Sequence, residues 1–268
     1  MMRIFGVMLL LMFVSFTNQA YSKVVGETVE YKSDGTALKG YIAYDDSIKG
    51  KRPGVLVVHE WWGLNDYVRK RADMLAGLGY TALAVDMYGE GKNSEHPEDA
   101  QKFVTEVMNN MGAGEKRFNA ALELLKQNKT VNPKDIAAIG YCFGGAIVLH
   151  MARTGAGLDG VTSFHGNLSP MDKAAPGTIR TKILVLTGGD DTFVPQEQID
   201  AFRKEMDAAG ADYEIIIYPG AKHSFTNPDA DRLGKENNLP IAYNKEADEK
   251  SWAEMREFLK EVFKPGSD

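Results

Sequence analysis

The only cysteine of this 268-residue chain, Cys142, lies in the glycine-rich segment Gly140-Tyr141-Cys142-Phe143-Gly144-Gly145. Apolar runs on both sides predict a buried strand before the cysteine and a helix after it. Small residues permit a tight strand-to-helix turn that raises its central side chain above the sheet. Cys142 is therefore a candidate nucleophile, and the start of the helix favours its thiolate form. The alternative is a structural cysteine packed in a glycine-rich turn.

Two further candidates follow predicted strands nearer the carboxyl terminus. Asp191 comes just after an apolar run and shortly before Pro195, and His223 lies in the loop after the next such run. A histidine can take and return protons, while a carboxylate fixes its tautomer and stabilises its charged form. Asp190 competes for the carboxylate role, but the second aspartate has the usual distance to the proline, so we choose Asp191. The alternative is a loop histidine and a turn-capping aspartate.

An apolar strand over residues 55–58 ends in His59 and Glu60. We expect the Glu60 carboxylate to contact Cys142, where it could hold or accept the thiol proton. A salt bridge to a surface lysine or arginine is the alternative. We expect His59 to be packed, because alternation along the strand points it away from Glu60.

The loop after this strand carries two tryptophans, Trp61 and Trp62. Its position suits a backbone donor to an oxyanion, and we assign that role to the amides of Trp61 and Phe143. Removing one such donor costs about 3 kcal/mol of transition-state stabilisation. We expect one tryptophan to line an acyl pocket, unless both are core or lid residues.

Taken together, these motifs resemble the dienelactone hydrolase-like family of α/β-hydrolases, and the resemblance covers nearly the whole chain after the amino-terminal segment. It rests on His59-Glu60-Trp61-Trp62-Gly63, Asp86-Met87-Tyr88, Gly140-Tyr141-Cys142-Phe143-Gly144-Gly145, Asp191 with Val194-Pro195, and His223-Ser224-Phe225. The order cysteine, aspartate, histidine also agrees with that fold.

The resemblance implies a chemistry for these residues. Cys142 would attack an ester or lactone carbonyl, and His223 and Asp191 would complete the triad. In this family the glutamate at the position of Glu60 interacts with the resting thiol and helps to generate the thiolate. We place substrate-binding residues in the same motifs, at Trp62, Tyr88 and Phe225.

The chain differs from the family in the residues that would bind the substrate carboxylate. Family members that act on chlorocatechol-derived lactones carry two arginines that grip the substrate carboxylate, and this chain has Glu90 and Asn227 in those regions. Neither can supply bidentate guanidinium geometry. Lys92 or Lys222 could substitute as point charges, although solvated lysines are the simpler interpretation. The reaction type is therefore better defined than the substrate.

Apolar runs separated by helix-like stretches predict an α/β fold, the α/β-hydrolase fold, with a mostly parallel central sheet covered by helices on both faces. The runs are Val55 to Val58, Ala82 to Val85, Ile136 to Ile139, Val161 to Phe164, Ile183 to Leu186 and Ile215 to Ile217. Residues 26–33 and 38–44 alternate as an amino-terminal antiparallel hairpin with Asp34-Gly35 at its turn.

Two carboxyl-terminal segments complete this scheme. Residues 252–259 have helical spacing and are expected to pack on the sheet behind His223. Residues 227–244 are polar and irregular, and we favour a long solvated loop there over a lid.

The amino terminus predicts export. Arg3 precedes an apolar run to Phe16 that is too short for a transmembrane helix, and small residues at Ala20 and Ser22 suit a signal peptidase. We expect residues 1–22 to be a signal peptide, with cleavage after Ser22 favoured over Ala20, and residues 23–268 to be one domain. The mature enzyme would be periplasmic or secreted.

The composition limits the classes of molecule that this protein is expected to bind. A net charge of −6 disfavours nucleic acid and anionic membranes as partners, and the five histidines lack metal-ligand spacing. We expect no metal or cofactor, a monomer, and a small ester or lactone substrate cleaved through an acyl-thioester on Cys142. The alternatives are a non-catalytic or thiol-redox binding protein on the same fold, and a carboxylesterase or thioesterase without lactone preference.

Overall fold

A computed structural model describes residues 23–172 and 174–264, so the predicted signal peptide lies outside the described residues. Within them, eight strands form one sheet. The strands are β1 (Val24–Ser33), β2 (Thr36–Asp45), β3 (Arg52–Val58), β4 (Thr81–Val85), β5 (Val131–Tyr141), β6 (Gly160–Phe164), β7 (Lys182–Gly188) and β8 (Tyr213–Tyr218). The helices are α1 (Asp66–Gly77), α2 (Pro97–Asn109), α3 (Met111–Gln127), α4 (Phe143–Arg153), α5 (Gln196–Ala209), α6 (Ala230–Asn237) and α7 (Lys245–Val262).

The strands are ordered β1-β2-β4-β3-β5-β6-β7-β8, and the predicted sheet is confirmed. β1 and β2 form the expected antiparallel hairpin, with Asp34 and Gly35 at φ 47° and 81° in its turn. β2 joins β4 antiparallel, and all later neighbours pair in parallel.

Helices cover both faces of the sheet. Along β3, Leu56 and Val58 belong to the core cluster that includes residues of α3, α4 and α5, while Val55 and Val57 belong to the cluster that includes residues of α1 and α7. All four side chains are fully buried. A strand covered on both faces has no polar side to present, which explains why its sequence is continuously apolar rather than alternating.

The parallel strands direct their carboxyl ends toward one edge of the sheet, where ligand sites of open α/β sheets lie. The loops after β3, β5, β7 and β8 carry Glu60, Cys142, Asp191 and His223 to this edge. The helices of the described part of the chain include none with the length and apolarity needed to cross a membrane.

Candidate active site

Cys142 occupies the turn between β5 and α4 with φ 53° and ψ −115°, a left-handed backbone that L residues rarely adopt. The glycines around it are required by contact with other backbone. A Cβ on Gly140 would lie 2.1 Å from the carbonyl oxygen of Gly144, and one on Gly144 would lie 2.3 Å from that of Val58. The motif thus seats the turn directly on β3, and the strain at Cys142 is held by this packing.

The three residues selected from the sequence lie together. Nε2 of His223 is 3.0 Å from Sγ of Cys142, and Nδ1 of His223 is 2.8 Å from Oδ2 of Asp191. The Asp191 carboxylate also accepts a hydrogen bond from the amide of Phe193, while the neighbouring Asp190 is exposed. The choice of Asp191 over Asp190 therefore agrees with the geometry.

The electrostatics favour a proton on His223. Burial of the imidazole opposes protonation, but the negative charge of the Cys142 sulfur and the hydrogen bond and charge of Asp191 outweigh it and raise the pKa of His223 to about 10. A proton on His223 is thus stabilised by the Cys142 sulfur on one side of the imidazole and by the Asp191 carboxylate on the other.

The Glu60 carboxylate is placed differently from our expectation. Its Oε1 accepts a hydrogen bond from the Ser224 hydroxyl at 2.9 Å and its Oε2 one from the Asn227 amide at 2.6 Å. The expected contact with the Cys142 thiol is absent, and so is the surface salt bridge. Glu60 is 2% exposed, and burial raises the pKa of its carboxyl against the lowering effect of these two hydrogen bonds.

A cavity of about 500 Å³ opens above Cys142 and His223. Apart from those two residues, its lining is apolar or neutral: Trp61, Gln101, Val104, Met108, Phe143, Ala146, Asn167, Ser169, Pro170, Met171, Phe193, Val194, Ser224, Leu239 and Ile241. The lining within the described residues therefore offers no lysine or arginine to a substrate carboxylate. Lys92 instead lies over the ring of Phe103, and Lys222 is exposed.

The segment 227–244 forms one wall of this cavity, so the expected solvated loop is wrong. It contains α6, and Leu239 and Ile241 turn their side chains to the cavity. Ile241 also forms a parallel bridge with His223, and the amide of Ala242 donates to the His223 carbonyl. The segment is polar on average, but burial of these few apolar residues holds it against the rest of the protein.

The sequence model of the dienelactone hydrolase family matches residues 38–263. The chain belongs to this family. Among its relatives, Protein usf of Aquifex pyrophilus is 31% identical over 83% of this chain and 99% of that protein. A protein of Aquifex aeolicus named "Putative carboxymethylenebutenolidase" is 30% identical over 76% of this chain and 88% of that protein.

A solved structure is similarly close. The crystal structure of a dienelactone hydrolase-like promiscuous phosphotriesterase from metagenomic libraries is 34% identical, with a TM-score of 0.85 over 90% of this chain and 99% of that one. With the family match, these similarities identify a hydrolase of small molecules that acts on ester bonds.

In this dienelactone hydrolase family member, the two predicted oxyanion donors flank the same cavity. Phe143 is the first residue of α4, where an amide has no acceptor within its own helix. Trp61 follows β3 and lines the cavity beside Cys142, and its carbonyl accepts a hydrogen bond from the Tyr88 hydroxyl at 3.0 Å. The oxyanion role of both amides stays a prediction.

The predicted substrate-binding residues need correction, because all three lie outside the cavity lining. Trp62 is 2% exposed and packs under α6 with Ala230 and Leu233. The Tyr88 ring is buried and its hydroxyl donates to the Trp61 carbonyl, and Phe225 is fully buried in the core against His165 and Tyr218. Trp61 is the tryptophan that lines the cavity.

Several lining residues were missed by sequence reasoning. Phe193 lies two positions after Asp191, which was a usable signal, and its ring is 4.9 Å from that of His223. Met108 and Met171 come from α2 and from the loop after β6, and no local pattern marks either as a cavity residue.

Two of the other histidines, His59 and His150, are buried and held by the fold, while His96 is exposed. His59 is buried against Tyr88 and Phe143, as expected for a packed residue. His150 contacts Glu115 at 2.7 Å. In the described ranges, side chains that bind metals do not gather in groups of three or more.

Proposed function

We propose that this protein hydrolyses uncharged carboxylic esters and lactones with Cys142 as the nucleophile. The observation that carries the proposal is the chain of contacts from Cys142 through His223 to Asp191 at the base of a cavity with a neutral lining. A thiol beside a histidine that is itself oriented by a carboxylate is the arrangement that activates a nucleophile.

The reaction would proceed in two halves. The Cys142 sulfur attacks the carbonyl carbon, and the amides of Trp61 and Phe143 stabilise the oxyanion that forms. The His223 imidazolium then protonates the leaving alcohol oxygen, which leaves an acyl-thioester on Cys142. In the second half, neutral His223 takes a proton from water, the hydroxide attacks the acyl carbon, and the sulfur leaves as thiolate.

The neutral lining supports a preference for uncharged substrates. A buried carboxylate without a partner carries a desolvation cost of several kcal/mol. A dienelactone carboxylate would meet that cost here, since the described lining residues include no lysine or arginine and the sequence has Glu90 and Asn227 in the regions where the family's two arginines occur. Esters and lactones with apolar acyl groups avoid it.

The test compares two aryl esters of the same chain length, one with an alkyl acyl group and one whose acyl group ends in a carboxylate. We expect kcat/KM for the neutral ester to be about 10-fold higher or more, since a methylene-sized mismatch already gives 10-fold. Equal values would contradict the uncharged-substrate preference.

The nucleophile is tested by intact-protein mass measurement during turnover. Because Cys142 is the only cysteine, an acyl adduct that disappears in Cys142→Ala and after thiol alkylation identifies its site. Hydrolysis that persists in Cys142→Ala would refute the mechanism. Absence of both hydrolysis and adduct would favour the binding or thiol-redox alternative.

A second activity is favoured by one specific similarity. The 34% identical relative is described as a promiscuous phosphotriesterase, and a neutral triester meets no charge conflict in this cavity. Hydrolysis of an aryl dialkyl phosphotriester, lost in Cys142→Ala, would support it. An inactive wild-type enzyme with the triester would contradict it.

We also propose that the enzyme is exported and acts as a monomer. The support for export is the short apolar run before Ala20 and Ser22. Expression of the full chain in a bacterium, followed by mass measurement of the periplasmic product, tests export. Light scattering of that product tests its oligomeric state.

A further inference from the structure

Arg71 is a buried cation that takes no part in the proposed mechanism. It lies on α1 and is 5% exposed, and one of its guanidinium nitrogens, Nη2, donates to the Thr226 carbonyl and to the Asp248 carboxylate, each at 2.6 Å. Its guanidinium lies within 5.5 Å of three ring centroids, those of Tyr67, Tyr141 and Trp252. A buried charge costs free energy unless every partner is in place, so the Arg71 guanidinium requires all of these contacts to be kept.

The hydroxyl of Thr226 joins two other buried groups. It is 2.8 Å from Nε2 of His165 and 2.7 Å from the Tyr67 hydroxyl. Thr226 is fully buried, and both its main-chain carbonyl and its side chain are therefore bound from elements distant in sequence. This residue is three positions after His223.

His165 follows β6 and packs on the catalytic histidine. Its ring centroid is 5.0 Å from that of His223 in an edge-on arrangement. Burial, with the charges of His223 and Arg71, lowers the pKa of His165 well below its usual value, so it stays neutral. It can therefore support an imidazolium at His223 without adding a second positive charge.

The Nδ1 contact with Asp191 alone leaves the His223 ring free to tilt about that hydrogen bond. The His223 ring also contacts two other rings, those of Phe193 and His165. Phe193 is 46% exposed, whereas His165 is fully buried and hydrogen-bonded to Thr226. His165 is therefore the more firmly held of the two supports.

We propose that Arg71 and His165 are positioning residues for hydrolysis, and that they act through Thr226 to hold the His223 ring in reach of the Cys142 sulfur. Arg71 anchors the loop backbone at the Thr226 carbonyl, and His165 fixes the ring. The inference rests on the proposed function, in which Cys142 and His223 share the catalytic proton.

The decisive variant is Thr226→Val, which keeps the side-chain shape and removes the hydroxyl. We expect kcat to fall about 10- to 100-fold with KM little changed, because a small misplacement of a catalytic group has an effect of that size. The thiolate absorbance at neutral pH should fall as well, since a tilted His223 no longer stabilises the Cys142 anion.

Two matched variants separate positioning from general loss of structure. Thr226→Ser retains the hydroxyl and should restore most of the rate and the thiolate signal. Thr154→Val removes a hydroxyl that bonds the Met151 carbonyl at the far end of α4, and it should leave rate and thiolate signal unchanged.

His165→Asn and Arg71→Met provide independent tests. His165 has φ 40°, a backbone region that asparagine tolerates, and the shorter side chain cannot reach Thr226. We expect the same loss of rate and thiolate signal. Arg71→Met strands the Asp248 charge, so we also measure its unfolding temperature.

The outcomes distinguish this inference from the proposed function. Unchanged kcat and thiolate absorbance in folded Thr226→Val and His165→Asn would overturn the positioning role while leaving the hydrolase intact. A thiolate signal that falls in Thr226→Val and returns in Thr226→Ser would support the role even where a chosen ester is not turned over.

Discussion

The turn that carries Cys142 and the loop that carries His223 are held in place by different physical means. Around the cysteine, glycines let backbone lie against backbone, with Gly144 seated on the Val58 carbonyl. Around the histidine, buried polar groups from distant elements bind the loop, with Glu60 at Ser224 and Arg71 at Thr226. Cys142 is thus positioned by close backbone packing that only glycines allow, and His223 is positioned by hydrogen bonds from buried polar side chains.

This difference predicts two kinds of failure. A change at the turn introduces atoms where none fit, and packed interiors resist such insertions. A change at the loop leaves a partner unsatisfied but adds no bulk, so the fold can persist with a misplaced group. Substitutions on the two sides should therefore separate loss of folding from loss of catalysis.

The largest effect is expected from Gly144→Ala. Its Cβ would lie 2.3 Å from the Val58 carbonyl oxygen, a clash that backbone must absorb, and we expect destabilisation beyond about 4 kcal/mol. Circular dichroism during heating measures it. The control is Gly112→Ala, where the new methyl meets nothing within 4 Å and a helix gains about 0.5–1 kcal/mol. Equal unfolding temperatures would refute the steric account.

Asp191→Asn should lower kcat by about 10⁴-fold while the protein stays folded, because the amide no longer stabilises the His223 tautomer or its charge. Steady-state hydrolysis of a neutral aryl ester measures the change. The matched control is Asp190→Asn, at an exposed neighbour that should leave kcat unchanged. A larger loss in the Asp190 variant would reverse the assignment of the acid.

The pH dependence of wild-type activity should show a fall at high pH. Since the pKa of His223 is raised to about 10, the imidazolium persists below that pH and is lost above it, and with it the proton for the leaving alcohol. We expect kcat/KM, corrected for spontaneous hydrolysis, to decline through pH about 10. The residual activity of Asp191→Asn should decline at lower pH, because one cause of the raised pKa is gone. An unshifted decline would contradict this origin.

The smallest effect is expected from Glu60→Gln. The glutamine oxygen can still accept from Asn227, but its amide group then faces Ser224, whose hydroxyl must turn to accept and so loses the acceptor of its own proton, which costs about 1 kcal/mol. Urea unfolding measures this loss. Glu27→Gln, at an exposed position on β1, is the control and should change stability little. If Glu60→Gln is as stable as its control, the loop does not depend on Glu60.

Most of the fold could be predicted from sequence because burial on both faces forces the strands to be apolar throughout. β3, β7 and the second half of β5 can be recognised in this way, and Asp34-Gly35 marks the hairpin turn. The proximity of Cys142, Asp191 and His223 could also be predicted from the sequence. Each residue follows a recognisable strand, and parallel strands end at one edge of the sheet.

The polar partners of the histidine loop could not be predicted in the same way. Glu60 was placed correctly at the strand end, but its rotamer depends on Ser224 and Asn227, which lie more than 160 residues away along the chain. Arg71 has no local signature, since an arginine on an amphipathic helix usually faces solvent. The prediction that Trp62 binds substrate was wrong for a related reason. Its side chain is buried under α6, and the segment that contains α6 is polar on average, so its sequence does not indicate that it covers a tryptophan.

The bridge between Ile241 and His223 has a consequence for how this enzyme can change its substrate range. The amide of Ala242, the residue after Ile241, donates to the His223 carbonyl, so a new side chain at Ile241 that shifts this backbone also shifts the catalytic histidine. Val104 and Met108 line the cavity from α2, which makes no backbone hydrogen bond to the His223 loop within the part of the chain that the structure describes. Substitutions on α2 should therefore change substrate specificity with little effect on kcat. Substitutions in the segment with α6 should change specificity and lower kcat together.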